Sequence, residues 1–269
     1  MFKWIKKDAI HYLILEEFHE YGVRAYFTSR KGGGVSQNEY SSLNMGLHTL
    51  DNNDNVLTNR KYFSEALNID HDNLTAGEQI HGNRVHVVSE EDKGSGALDY
   101  ENSIKGVDAL ITDIKGLPLI SFYADCVPLF FLDPVHKIGG VAHAGWKGTV
   151  KKIAIKTLNK MSDYFGSTPD DCIVGIGPSI SRKNYEVDNY VVDKFKKEFA
   201  FYKEVIDKNK DGTYQLDLPL SNYKILKKAG VKENNIINSS ICTFDKKEYF
   251  YSYRRDNGKT GRMASIFVL

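Results

Sequence analysis

The chain has 269 residues, 41% of them hydrophobic, and carries 36 Lys and Arg against 35 Asp and Glu. A formal net charge of +1 excludes the broad basic face that nucleic acid or an anionic membrane requires, so local cationic clusters are expected to serve small anions. Three cysteines, at positions 126, 172 and 242, do not make a secreted disulfide framework and fit a reducing cytoplasm.

The N-terminal residues 1–7 carry charge and are followed by Asp8, His11, Glu16 and Glu17, which interrupts any signal-peptide apolar region. No run approaches the ~18 apolar residues of a membrane span. Residues 23–28 (VRAYFT) read as a strand, and a polar Gly-bearing loop covers 31–42. A helix is expected over 55–68 and a short strand over 84–88, then a polar loop over 90–106. Short apolar runs at 108–112, 118–123, 127–132 and 138–142, broken by Asp, Pro and Gly, read as buried strands. Thr149 is placed to cap a helix to about Phe165, with Val150, Ile153, Ala154, Thr157, Leu158, Met161 and Phe165 at helical spacing. Strands at 173–176, 214–218, 249–253 and 264–268 and helices at 189–199 and 219–229 complete the pattern; the last has Pro219 near its start and Gly230 after its end. No repeat or linker divides the chain, so residues 1–269 are expected to form one domain. Strands and helices mix without strict alternation, which points to α+β or a mixed-sheet layered fold rather than a Rossmann or TIM architecture. Neither a dinucleotide fingerprint nor a P-loop is present.

The densest chemistry lies in residues 121–148, SFYADCVPLFFLDPVHKIGGVAHAGWKG. Two adjacent strands joined by a turn at 133–137 bring Cys126, at the start of one, near His143, at the end of the other. His81 sits in a polar turn before the strand at 84. One thiolate and two imidazoles form a familiar zinc set that leaves a fourth position open, and a bound zinc brings the pKa of water toward neutrality. A buried Cys in an apolar strand pair and a His in a turn are equally ordinary structural residues.

Eight segments, SSLNMGLH (41–48), EQIHGNRV (78–85), GVDALIT (106–112), FYADCVPLFFLD (122–133), GGVAHAGWKGTV (139–150), GIGPSISRKNYEV (175–187), LDLPLSN (216–222) and YSYRRDNGKTGRMAS (251–265), resemble the laccase-domain family. That family was once called multicopper polyphenol oxidase and is also named peptidoglycan-editing factor. The resemblance implies a layered α/β/β/α sandwich and a zinc-dependent purine nucleoside phosphorylase. Such an enzyme cleaves adenosine or inosine, and with them guanosine and methylthioadenosine, using phosphate, with an adenosine deaminase side activity. It assigns the metal to His81, Cys126 and His143, with Cys126 and His143 also in the catalytic set.

Copper is the weaker expectation. None of the eight histidines forms an H-x-H pair and none flanks Cys126, so a trinuclear cluster has no ligands. The H-x-E and P-C-x-x-C signatures of cytidine-type deaminases are also absent, so deamination would need an independent arrangement.

Phosphorolysis needs an anion site, for which bidentate arginine is suited. Arg254, Arg255 and Arg262 are the expected sources, with Lys147 and Arg30 behind them; a solvated hairpin is the structural alternative. His48 and Asn44 fall in the NMGLH segment. His48 is expected as proton donor or acceptor and Asn44 as a substrate contact, or both as turn residues. Asp125 either orients a ligand or makes a buried hydrogen bond. Trp146 and Tyr123 either stack on a purine or fill the core. Residues 31–35 form either a lid or a plain glycine-rich loop. Cys172 and Cys242 are read as structural. The expected partners are purine nucleosides and phosphate, with neither nucleic acid nor membrane, for a monomer or small homo-oligomer. Two other classes stay open: a cysteine hydrolase with Cys126 as nucleophile and His143 or His81 as base, and a non-enzymatic cell-envelope factor.

Overall fold

A computed structural model describes all 269 residues. In chain order the strands are β1 (Phe2–Lys7), β2 (Ile10–Leu15), β3 (Arg24–Thr28), β4 (Thr75–Ala76), β5 (Val85–Val87), β6 (Ala109–Thr112), β7 (Leu119–Tyr123), β8 (Val127–Asp133), β9 (Ile138–Ala144), β10 (Ile173–Ile176), β11 (Glu186–Val187), β12 (Ile206–Lys208), β13 (Tyr214–Leu216), β14 (Ile236–Asn238) and β15 (Met263–Val268). The helices are α1 (Glu16–His19), α2 (Asn53–Ala66), α3 (Trp146–Val150), α4 (Ile153–Phe165), α5 (Asn189–Glu198), α6 (Tyr202–Val205) and α7 (Leu218–Lys228).

Two six-stranded mixed sheets form the centre, ordered β1-β2-β3-β15-β7-β4 and β14-β10-β8-β9-β6-β5. Their facing sides share one apolar cluster, in which Leu13, Phe27, Leu119 and Phe267 of the first sheet meet Leu110, Phe130, Leu132 and Val141 of the second. The outer side of the first sheet packs Ile120, Ile266 and Val268 with Phe63 of α2. The outer side of the second packs Leu129, Phe131 and Ala142 with Leu158 and Met161 of α4, Phe195 of α5 and Ile225 of α7. The result is the α/β/β/α sandwich. Strands buried on both faces read as continuous apolar runs, which is why β8 and β9 are buried at every position.

Several expectations shift. The helix expected from Thr149 is two helices: α3 starts earlier, at Trp146, and α4 follows after Lys152, whose φ of 62° is left-handed. The break lets Trp146 stand apart from the α4 stripe of Ile153, Ala154, Thr157, Leu158 and Met161, which is buried against the sheet. No strand forms at 249–253. There the backbone groups of Tyr251 and Arg254 bond to the Met263 sulfur and the Asp125 carboxylate rather than to a neighbouring strand. The edge hairpin β1-β2 carries no expectation from the sequence; the exposed face of β1 holds Lys3, Lys6 and Lys7, which mask its apolar alternation. No helix is long and apolar enough to cross a membrane.

Candidate metal centre and substrate cleft

β8 and β9 pair antiparallel in a register that sets Val127 opposite Ala144 and Pro128 opposite His143. The turn between them therefore brings Cys126 and His143 to one end of the sheet. β5 lies at the edge of the same sheet, and the turn that precedes it carries His81 at φ 57°. The ligand atoms of His81, Cys126 and His143 all lie within 4.8 Å of one another. The two imidazoles meet edge to face, with centroids 4.7 Å apart and planes at 76°.

Three observations bear on whether this set suits a metal. The donors are two nitrogens and one sulfur, the composition borderline-soft zinc accepts. His143 Nδ1 bonds to Asp108 Oδ1 at 2.9 Å, which leaves Nε2 for a ligand bond. Gly145 closes the cradle: a Cβ there would lie 2.9 Å from His81 Cδ2 and 3.0 Å from Cys126 Sγ. Burial would raise the Cys126 thiol, but the adjoining His143, with His81, outweighs it and lowers the pKa. Burial would lower His143, and Cys126 and Asp108 outweigh it in turn, so the pair favours thiolate and imidazolium while it shares no metal.

The three residues line a cleft of about 450 Å³ with His48, Gln79, Phe122, Trp146, Lys147, Tyr185, Leu218, Tyr253, Arg254 and Arg262 among its walls, a size and mixture usual for small-molecule sites. Arginine ion pairs are confined to Arg182 and Arg255, so the Arg254 and Arg262 guanidiniums have no carboxylate partner. Arg262 Nη1 donates to the carbonyls of Thr260 and Gly261 at 2.7 and 3.0 Å. Arg254 Nη1 donates to Glu186 O at 2.8 Å, and its guanidinium lies over the Tyr185 ring. One side of His48 is open to the cleft; Tyr100 and Phe122 flank it. The ring is solvent-accessible on its cleft side; the partial burial of the rest, then the Arg262 and Arg60 charges, shift its pKa down, which favours the neutral imidazole.

Two expected contacts stand outside the cleft. Asn44 is fully buried. Its oxygen accepts from Gly46 N and Arg262 N, and its amide donates to Thr49 Oγ1 and Asp51 Oδ2. All four of its hydrogen-bond positions are used, so it holds the Arg262 backbone. Arg255 donates to the carbonyls of Thr243, Phe244 and Phe250 and pairs with Asp256, clamping the C-terminal turns. Arg30 lies over Tyr251 and donates to Ser41 O. The glycine-rich loop is packed down, with Val35 N bonded to Asn59 and no room for a Cβ on Gly34.

The open alternatives resolve from the same geometry. Asp125, at φ 86°, accepts from Thr243 Oγ1, Ser252 Oγ and Arg254 N, so it ties the arginine-bearing turn to the residue before Cys126. Tyr123 is core, whereas Trp146 lines the cleft. Cys172 is buried and Cys242 accepts from Ser181 N and Asn184 Nδ2. The sequence reading missed Asp108, which lay inside an expected strand; Gln79, whose amide bonds both backbone groups of Phe122; and Tyr185, a cleft-lining phenol. Gln79 was the most accessible of these, since it stands two residues before His81.

Residues 24–269 match the family described as multi-copper polyphenol oxidoreductase laccase. A relative from Bacillus subtilis (strain 168), named purine nucleoside phosphorylase YlmD, is 43% identical over 91% of this chain and 87% of its own length. A relative of the same name from Geobacillus stearothermophilus is 38% identical over 88% of this chain and 86% of its own. The crystal structure of the Bacillus licheniformis hypothetical protein YfiH superposes with a TM-score of 0.94 at 39% identity, covering 98% of both chains. By its matched length, its similarity to these relatives and its fold, the chain belongs to the multi-copper polyphenol oxidoreductase laccase family.

Proposed function

We propose that the chain is a metal-dependent purine nucleoside phosphorylase. It cleaves the glycosidic bond of adenosine or inosine, and with them guanosine and methylthioadenosine, with phosphate as acceptor. Zinc at His81, Cys126 and His143 is its metal, and adenosine deamination its side activity. The observation that carries this reading is one cleft in which a nitrogen-sulfur-nitrogen donor set stands beside two guanidiniums without carboxylate partners. The names of the relatives point the same way.

In phosphorolysis a phosphate oxygen forms a bond to C1′ of the ribose. The bond from C1′ to the purine nitrogen breaks, and its electron pair leaves with the base. A divalent ion held by His81, Cys126 and His143 would supply Lewis-acid charge in the cleft. Arg262 spends one nitrogen on its own loop and has the rest of its fork for a phosphate, with Arg254 at the same wall. Neutral His48 can accept from a ribose hydroxyl or donate to a phosphate oxygen without adding charge. Trp146, Ile180, Tyr185 and Leu218 offer an apolar wall for a flat base.

Purified protein should convert inosine to hypoxanthine and ribose 1-phosphate only when phosphate is present, followed by chromatography. Release independent of phosphate would replace this reading with a hydrolase. The closeness of the Cys126 sulfur to the His81 and His143 imidazole nitrogens supports a cysteine hydrolase as the second reading. That reading requires activity to survive chelation and to vanish on alkylation, whereas metal-dependent phosphorolysis requires chelation to abolish it.

A further inference from the structure

Asp108 is sealed from solvent and carries a carboxylate with no lysine or arginine on it; its ion-pair partner is His143. Such a group is tolerated only when hydrogen bonds replace its water. Four do so. Oδ1 accepts from His143 Nδ1 and from His81 N, both at 2.9 Å. Oδ2 accepts from Gly82 N at 2.6 Å and Ile80 N at 3.2 Å. The three successive amides form a concave nest around the carboxylate, and their middle residue is His81, held at a left-handed φ of 57°. The backbone closes the same unit, because His143 N donates to Asp108 O at 2.7 Å.

We propose that Asp108 is the positioning residue of the metal centre, fixing both histidines at once. This rests on the reading of the triad as a metal site. A carboxylate with all its oxygens accepting cannot donate, so His143 must carry its proton on Nδ1 and present the Nε2 lone pair. The same two oxygens hold the turn that aims His81. One side chain therefore sets the tautomer of one ligand and the backbone of another.

Asparagine at this position cannot reproduce the arrangement. Its single oxygen can face either pair of donors. If it faces Gly82 and Ile80, its NH2 confronts the His81 amide and invites His143 to accept at Nδ1, moving the proton to Nε2, where it blocks ligation. If it faces His143, the NH2 confronts two turn amides and the His81 turn loosens.

The first measurement is a long-range 1H–15N spectrum of the zinc-loaded wild-type protein, expected to show His143 protonated at Nδ1. The second compares Asp108→Asn with Asp133→Asn by chelator competition for zinc and by the cobalt absorption spectrum. Asp133 is also fully buried in the same sheet, and it bonds His136 Nδ1, His136 N and Val135 N, away from the cleft. Asp108→Asn should weaken zinc about 10–100-fold and alter the cobalt bands, whereas Asp133→Asn should lower the melting temperature and change neither. Protonation of His143 at Nε2 would overturn the proposal. So would wild-type zinc affinity in Asp108→Asn, or an equal loss in Asp133→Asn. If Asp108→Asn does not fold, the wild-type tautomer decides. A wild-type protein that takes up neither zinc nor cobalt would refute the metal reading itself, a result distinct from metal binding without dependence on Asp108.

Discussion

Gly145→Ala isolates the metal cradle, because it adds one methyl group and little else. Gly145 has φ −67° and ψ 170°, a conformation alanine adopts freely, so no backbone strain enters. The added carbon would sit 2.9 Å from His81 Cδ2 and 3.0 Å from Cys126 Sγ, and contacts that short force something to move. Overpacking of this kind costs about 1–3 kcal/mol. In the metal-loaded protein the strain falls on the two ligands, since ligand distances tolerate shifts of only about 0.2 Å. At about 1.4 kcal/mol per tenfold, zinc affinity should drop by roughly 5- to 150-fold. The residue also caps α3, where alanine is poorer than glycine by up to about 1 kcal/mol; that should lower the melting temperature by about 2–4 °C. Chelator competition measures the first effect, and a thermal melt in excess chelator measures the second. Unchanged zinc affinity in a folded variant would refute the claim that this backbone wall sets the site.

Cys126→Ala should lose bound zinc and turnover and keep its far-ultraviolet circular dichroism, read by metal analysis and activity on the same sample; retained zinc with full activity would sink the triad assignment. Arg262→Ala should raise the KM for phosphate about 10- to 100-fold, the size of a lost charge-assisted hydrogen bond, and leave nucleoside binding nearly unchanged. Arg255→Ala should do the reverse: it removes the clamp on Thr243, Phe244 and Phe250, so thermal unfolding should shift down by several degrees with the phosphate KM intact. His48 has a folded-state pKa below that of a free imidazole, so on acidification the unfolded chain binds its proton first. Stability is therefore expected to fall with pH below ~6.5, and the His48 ring should show no NMR titration near that value.

That His81, Cys126 and His143 come together was legible because short motifs carried them, and because two apolar runs joined by a turn pair as a hairpin, which places Cys126 and His143 at one end. The mixed-sheet character was legible because doubly buried strands such as β8 and β9 read as continuous apolar runs, whereas the four-layer sandwich came from the family resemblance. The three C-terminal arginines were not separable, since each stands in a polar turn and the same residue type serves all three. What distinguishes them is the tertiary partner. Arg255 meets carbonyls and Asp256, Arg254 leans on Tyr185, and Arg262 is held by Asn44 with no carboxylate near. Asn44 shares the NMGLH segment with His48, yet its side chain is used up within the protein: three of its hydrogen bonds are local and the fourth holds Arg262 N, more than 200 residues away in sequence. Asp108 was hidden more deeply. In sequence it is one acid at the edge of a strand, and its importance comes from two other segments folding onto it. A donor atom can thus be read from a motif, but the group that orients it is set by long-range packing. Variants that move such orienting groups should therefore perturb this metal centre without touching a single ligand.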